Sequence, residues 1–368
     1  MPTEGKVREH AELIVNTCFT VEQGDVVTII TDDEHAHLAR VVAEVAAEKG
    51  AWPVVMNNET QVARGLADTL FPMAPPQNLH DAMLRSDEII IMTNLEWANR
   101  FAHVNAVRES CANNVKIASV EGGMGDWDIK VQDILDSTDR AVAAMAKLKG
   151  VRTCRVWTPE GTDVTVSIEE RPPLQVTPIR QRGWMMGPLP LWGEVAYAAV
   201  ENATNGVIAV TGNMLGIGVD VVSSPIYWHV KDGHVVKIEG ERDAKELARV
   251  IEGVPNVDIV AEFAFGTSAI SPFGSPSEKG RIGNVHFAMG DNKNAYPGGQ
   301  NSCRLHLDGV VRNATLEIVE GGAGGYIIRD GQWDVQAPCP TARRGSPRSP
   351  SRTCRPSTCP GAAGAGCC

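Results

Sequence analysis

Four short apolar runs open this chain, at residues 26–30, 52–56, 88–93 and 115–120, and each is preceded by a segment of helical spacing or capping. Between residues 5 and 19 the apolar positions Val7, Ala11, Leu13, Ile14 and Cys18 fall on one helical stripe, and Gln23-Gly24-Asp25 then turns the chain into the first run. Residues 34–49 read as a second helix, closed by Gly50 at a position suited to a left-handed C-cap. Segments 78–85 and 102–112 precede the third and fourth runs. Parallel strands need a crossover between them, so strand and helix in alternation predict a parallel sheet covered by helices. The long amphipathic stretch 128–149 leads to a change of pattern near Gly150.

Beyond Gly150 the predicted strands are short, and turn signals suited to hairpins stand at Pro159-Glu160-Gly161, Asp232-Gly233 and Asp330-Gly331. One helix, residues 242–252, interrupts them, and the run 257–263 leads into Gly266. No fixed-period repeat is visible, which disfavours solenoids and propellers. With 368 residues, 43% of them hydrophobic, the chain has material for two cores. The expectation is an α/β domain with a parallel sheet over residues 1–150, a β-rich α+β metal-binding domain over 151–336, and a disordered tail over 337–368. That tail has almost no aliphatic residues and five arginines (Arg343, Arg344, Arg348, Arg352, Arg355) but no acid. Its bias also resembles a GC-rich gene read out of frame.

The net charge of −11 becomes −16 without the tail, which argues against nucleic-acid binding. The apolar runs are too short to cross a bilayer, and the first fifteen residues are charged where a secretory signal is apolar, so a cytoplasmic protein off the membrane is expected. Cys18, Cys111, Cys154 and Cys303 are scattered singly and read as small buried hydrophobes of a reducing compartment. Cys339, Cys354, Cys359, Cys367 and Cys368, in the tail, lack zinc-ribbon spacing.

Residues 283–308, GNVHFAMGDNKNAYPGGQNSCRLHLD, carry the strongest chemical signal. Strand side chains alternate faces, so His306 and Asp308 share one side a pleat apart, and His286 can join them from a neighbouring strand. Two histidines and a carboxylate suit iron, manganese, cobalt or zinc. A His-x-Asp pair that only hydrogen-bonds within a half-buried surface is the competing reading. Glu262, inside the apolar strand IVAEFAFG, and Glu194, in PLWGEVAYAAVE, are acids whose burial demands a partner or a metal. An arginine or backbone amides would serve as well as an ion.

The segments WGEVAYAAVENATNGVIAV, VAEFAFGTS, GNVHFAMGDN and SCRLHLD, in that order, resemble the aminopeptidase T family of metallopeptidases. Upstream, VEQGDVVTIITDD, AAEKGAWPVV and PEGTDVTVSIEERP extend the resemblance over roughly residues 5 to 320. It implies that Glu194 and Glu262 are metal-binding or catalytic, that His286, His306 and Asp308 are ligands, and that the protein is a homodimer. Members that cleave peptides have a tyrosine seven residues after the first histidine; Lys293 stands there, and the nearest tyrosine is Tyr296. One metal is therefore expected rather than two. The superfamily includes 5-nitroanthranilate aminohydrolase and 2,5-dihydroxypyridine 5,6-dioxygenase, the latter with histidine in place of Glu262. The resulting expectation is a metal-dependent hydrolase cleaving a C–N bond of a small, aromatic-type substrate through activated water, with an Fe(II) ring-cleaving dioxygenase as the alternative and a metal-stabilised binding protein of the same fold as a non-enzymatic one.

Other motifs carry less. The glycine turns 122–125 and 211–213 fit no nucleotide fingerprint, and no G-x-S-x-G elbow occurs; residues 273–276 read as a turn. His35, His37, His80, His103, His229 and His234 read as surface or packing residues. Trp184, Trp192 and Trp228 can wall an aromatic pocket or fill a core.

Overall fold

The computed structural model describes residues 3–68, 71–120, 122–182, 187–217 and 221–336; Trp184 and the predicted tail lie outside them. In chain order the first half contains α1 (Glu4–Glu12), β1 (Val26–Thr31), α2 (Ala36–Glu48), β2 (Trp52–Asn57), α3 (Glu59–Ala67), α4 (Gln77–Arg85), β3 (Glu88–Met92), α5 (Leu95–Phe101), α6 (Asn105–Ala112), β4 (Lys116–Val120) and α7 (Val131–Lys147). After α1, Leu13–Cys18 widen into a π-helix. Two helices escaped the periodicity reading: α3, and α5, which begins directly after β3 where Asn94 caps it by accepting from the amides of Glu96 at 3.0 Å and Trp97 at 3.3 Å. Seven residues give too little periodicity to announce a helix, whereas the cap and the tertiary burial of Trp97 and Phe101 are enough to hold one.

Among the described residues the strands run β2-β1-β3-β4-β8 in one sheet, all parallel, the edge strand β8 (Pro188–Leu189) arriving from beyond Gly150. Alternate side chains feed two cores. Val27, Ile29, Ile90 and Met92 pack beneath α1 and α2, while Ile30, Ile89 and Ile91 pack beneath α4, α5 and α6. At the carboxyl end of β1, Asp32 accepts from the amide of Asn94 at 2.8 Å and so fixes where α5 starts.

The second half adds β5 (Val151–Trp157), β6 (Asp163–Ser167), β7 (Leu174–Val176), β9 (Glu194–Ala198), β10 (Asn205–Val210), β11 (Ile226–Lys231), β12 (His234–Glu239), α8 (Arg242–Ile251), β13 (Val260–Gly266), β14 (Val285–Gly290), β15 (His306–Val311), β16 (Thr315–Gly321), β17 (Gly325–Arg329) and β18 (Gln332–Trp333). The hairpin turns lie where the sequence places them, at β5–β6, β11–β12 and β17–β18. Among the described residues the strands form two further sheets, β12-β11-β10-β6-β5-β16-β17-β18 and β15-β14-β13-β9-β7. Their facing sides share one core. Val156, Val166, Ile208, Trp228 and Leu316 from the larger sheet meet Val195, Phe263, Phe265, Phe287 and Leu307 from the smaller. Trp228 is thus a core residue, not a pocket wall. Among the described residues no helix is long and apolar enough to cross a membrane.

Candidate metal centre

The smaller sheet alternates from face to face beyond a bulge between Val260 and Glu262. While Val195, Tyr197, Phe263, Phe265, Phe287, Met289 and Leu307 turn into the core, the registers Glu262↔Ala198, Ala288↔Asp308, Ala264↔His286, Gly266↔Glu194 and Gly290↔His306 put all five candidate residues on the opposite face. Each has alanine or glycine as a cross-strand partner on at least one side. Small partners leave room above the sheet for five polar side chains to converge.

They do converge. His306 Nε2 lies 2.9 Å from Glu262 Oε2 and 3.2 Å from Asp308 Oδ1, and His286 Nε2 lies 3.3 Å from Glu262 Oε1 and 3.5 Å from Glu194 Oε2. Two groups of ligand atoms result, Glu262–His306–Asp308 and Glu194–Glu262–His286, each within 4.8 Å and both containing Glu262. The donor set fits a divalent cation. His306 Nδ1–H donates to the carbonyl of Asp291 at 2.7 Å, which turns Nε2 toward the carboxylates, where a cation that displaces its proton would be bound. Glu262 Oε1, Asp308 Oδ1 and both ring nitrogens of His286 are buried without a hydrogen-bond partner, as unfilled ligand atoms would be.

The electrostatics are those of a charged cluster taken out of water. Burial would lower the His306 imidazolium, but Asp308 and Glu262 outweigh it and push the pKa up to about 10; a cation can take the proton's place. Burial would raise Glu262, yet His286 and His306 bring it down to about 2. Burial dominates at Glu194, raising it to about 7 against His286 and Lys279. Trp192 Nε1–H donates to Glu194 Oε2 at 2.7 Å and fixes that carboxyl.

Three participants were not legible in the sequence. Lys279, between β13 and β14, is buried, donates to Asp308 Oδ2 at 2.8 Å and stands 4.1 Å from the Trp192 ring centroid. Its neighbour Glu278 is neutralised separately, by Arg312 at 2.8 Å, which leaves the ammonium to the site. Tyr296 has its hydroxyl 3.4 Å from His306 Nε2 and its ring stacked on that imidazole, so the displaced tyrosine still reaches the cluster. It does so because the 291–305 loop folds back on itself, the amides of Asp291 and Asn292 bonding to the carbonyls of Leu305 and Asn301. His103, read from sequence as surface or packing, follows α5 and stacks on His306 with centroids 4.4 Å apart. Burial and the adjacent His306 lower it to about 3, so it is neutral at physiological pH.

These groups border a cavity of about 270 Å³ between the smaller sheet and the α/β half. Trp192 lines it, and so does Cys303, which is only half-buried, as is Cys111; Cys18 and Cys154 are buried as the sequence suggested. Small-molecule pockets commonly span about 300–1,000 Å³, so the space suits a single-ring molecule.

A family model, "NicX: 2,5-dihydroxypyridine 5,6-dioxygenase", matches residues 11–268, a span that takes in Glu194 and Glu262 and stops short of His286. No protein of curated function matches the chain in sequence. Among solved structures, the 2,5-dihydroxypyridine dioxygenase of Pseudomonas putida KT2440 superposes with a TM-score of 0.68 at 15% identity, over 91% of this chain and 98% of that one. Wild-type AmpT from Thermus thermophilus superposes with a TM-score of 0.63 at 18% identity, over 90% of this chain and 100% of that one. At these identities the likeness is one of fold.

Proposed function

The chain belongs to the 2,5-dihydroxypyridine 5,6-dioxygenase family, and from that membership we propose that it opens the ring of a small hydroxylated N-heteroaromatic with dioxygen, using one metal ion held by His306, Asp308 and Glu262, the last a carboxylate where the dioxygenase pattern has histidine. The observation that carries the reading is the convergence of the buried Glu262 with His306 and Asp308, which line a cavity sized for one ring. Fe(II), when bound, supplies the redox chemistry that lets dioxygen and an aromatic ring react. In the overall reaction both oxygen atoms enter the substrate as the bond between ring carbons 5 and 6 breaks, so no external reductant is consumed.

The chain's own residues handle protons and charge. Neutral His103 borders the cavity and can accept a hydrogen bond from a ring hydroxyl. Tyr296, whose hydroxyl burial pushes well above its usual range, stays protonated and can donate a hydrogen bond. Lys279 keeps Asp308 ionised: burial alone would raise that carboxyl, but the ammonium and His306 hold it well below the usual range. Glu194, near 7, can exchange a proton at physiological pH.

One observation favours a second reading, hydrolysis of a C–N bond. Glu262 belongs to both ligand groups, and a shared carboxylate is what a two-ion hydrolytic centre needs. Glu194 would then take the proton from the attacking water. Elemental analysis of anaerobically purified protein, followed by turnover with and without oxygen, separates the two. The dioxygenase reading expects iron and one oxygen consumed per 2,5-dihydroxypyridine lost; oxygen-independent release of amine from an aminoacyl anilide, with no oxygen uptake, would overturn it in favour of the hydrolase.

A further inference from the structure

The share of the cavity wall supplied by the α/β half carries polar atoms for which the chain itself offers no partner. Asn99 Nδ2, on α5, and Ser119 Oγ, on β4, are shut off from solvent and make no hydrogen bond, and both residues border the cavity. Ser119 is 1% exposed, and α5 packs against β4, so the two belong to one patch. Two other asparagine amides are fully used. Asn292 Nδ2 donates to Glu201 Oε1 at 2.9 Å and to the Ala261 carbonyl at 3.0 Å, and Asn301 Nδ2 donates to the carbonyls of Asn256 at 2.8 Å and Gly290 at 2.6 Å. Leaving an amide and a hydroxyl unpaired costs folding free energy that neither residue recovers within the fold.

We infer that Asn99 and Ser119 are specificity-determining residues, a hydrogen-bonding subsite for an acceptor oxygen (oxo, phenolate or carboxylate) borne by the substrate ring. The amide nitrogen of Asn99 can only donate, so its partner must be an acceptor, and the Ser119 hydroxyl can donate beside it. Arg304, exposed and bordering the same cavity, adds positive charge that favours an anionic oxygen over a neutral one. With the metal ligands meeting one part of a ring and this pair another, the site would select a ring oxygenated at two positions. The inference rests on the small-ring reading above, and it names the substituent that reading leaves open.

The test is made on the full chain with Asn99→Leu and Ser119→Ala. A polar group kept for a ligand is a burden on the ligand-free protein, so each variant is expected to raise the ligand-free Tm, by about 1–3 °C. Each is also expected to weaken anaerobic binding of 2,5-dihydroxypyridine or salicylate to the metal-loaded protein by about tenfold or more, while 3-hydroxypyridine, with one oxygen fewer, binds the variants as it binds the wild type. A lowered Tm in both variants assigns the pair a structural role and overturns the subsite. Unchanged affinity for both probes overturns it equally. If the metal-loaded wild type binds neither probe, the hydroxylated-ring reading falls and the subsite with it.

Discussion

Replacing Lys279 by methionine should weaken the metal-free fold and tighten its grip on metal. The Lys279 and Asp308 side chains are 7% and 4% exposed with 2.8 Å between charges, which at an effective dielectric constant of about 20 corresponds to roughly 6 kcal/mol of attraction before desolvation. Breaking a buried pair by removing one partner typically costs about 3–5 kcal/mol, because the orphaned charge stays buried. Here that charge also faces Glu262 and Glu194. A divalent ion at Glu262, His306 and Asp308 supplies the compensation that the ammonium otherwise gives, so the loaded variant should lose only about 1 kcal/mol. The difference of roughly 2–4 kcal/mol must reappear, by linkage, as metal affinity about 30- to 700-fold higher than wild type. Urea unfolding of the chelator-stripped and manganese- or zinc-reloaded chain gives the two stabilities, and competition against a chromophoric chelator gives the affinity. Equal destabilisation in both states with unchanged affinity would refute the argument and leave Lys279 a packing residue.

Three further outcomes follow from the same geometry. His306→Ala and Asp308→Ala should each abolish metal retention and turnover, whereas Glu194→Gln should keep the metal and lose turnover; elemental analysis beside the activity assay separates them, and full activity in all three removes the site. Burial raises Glu88 to about 7 despite Lys116, so its contribution to stability is fully present below about pH 4.5 and is lost as pH rises through 7; Glu88→Gln should remove up to roughly 3 kcal/mol of that dependence between pH 5 and pH 8, and parallel pH curves for variant and wild type would count against it. Gly309, directly after Asp308, presses β15 onto the larger sheet so closely that a Cβ would stand 2.5 Å from Val210 Cγ2 and 2.9 Å from Trp228; Gly309→Ala should cost about 1–3 kcal/mol and loosen metal binding, whereas an unchanged melting curve would show that the sheets can part without penalty.

The faces of the candidate ligand residues were legible because their signal is local. In VAEFAFG, VHFAMG and HLDGVV a period of two assigns Phe263, Phe287 and Leu307 to one face and Glu262, His286, His306 and Asp308 to the other, and the structure keeps those faces. The parallel sheet was legible for the same reason, since strand and helix alternate at spacings that only crossovers satisfy. What did not show was whatever depends on contacts between distant segments. Nothing around His103 distinguishes it from His80, which pairs with Glu109 at 2.7 Å on a half-exposed helix; His103 becomes a site residue only because Asp32 and Asn94 start α5 where they do. Lys279 sits in a polar turn that reads as surface, and its burial is set by Trp192 and Asp308, both far away in sequence. Tyr296 fails the family spacing yet arrives at His306, because loop closure rather than residue count sets where its hydroxyl goes. The sequence by itself determined which residues share a strand face, since that follows from backbone geometry within a few residues. Only the tertiary structure decided which ammonium, which imidazole and which unpaired donors surround them, since those positions are fixed by packing between halves of the chain whose order in sequence carries no distance.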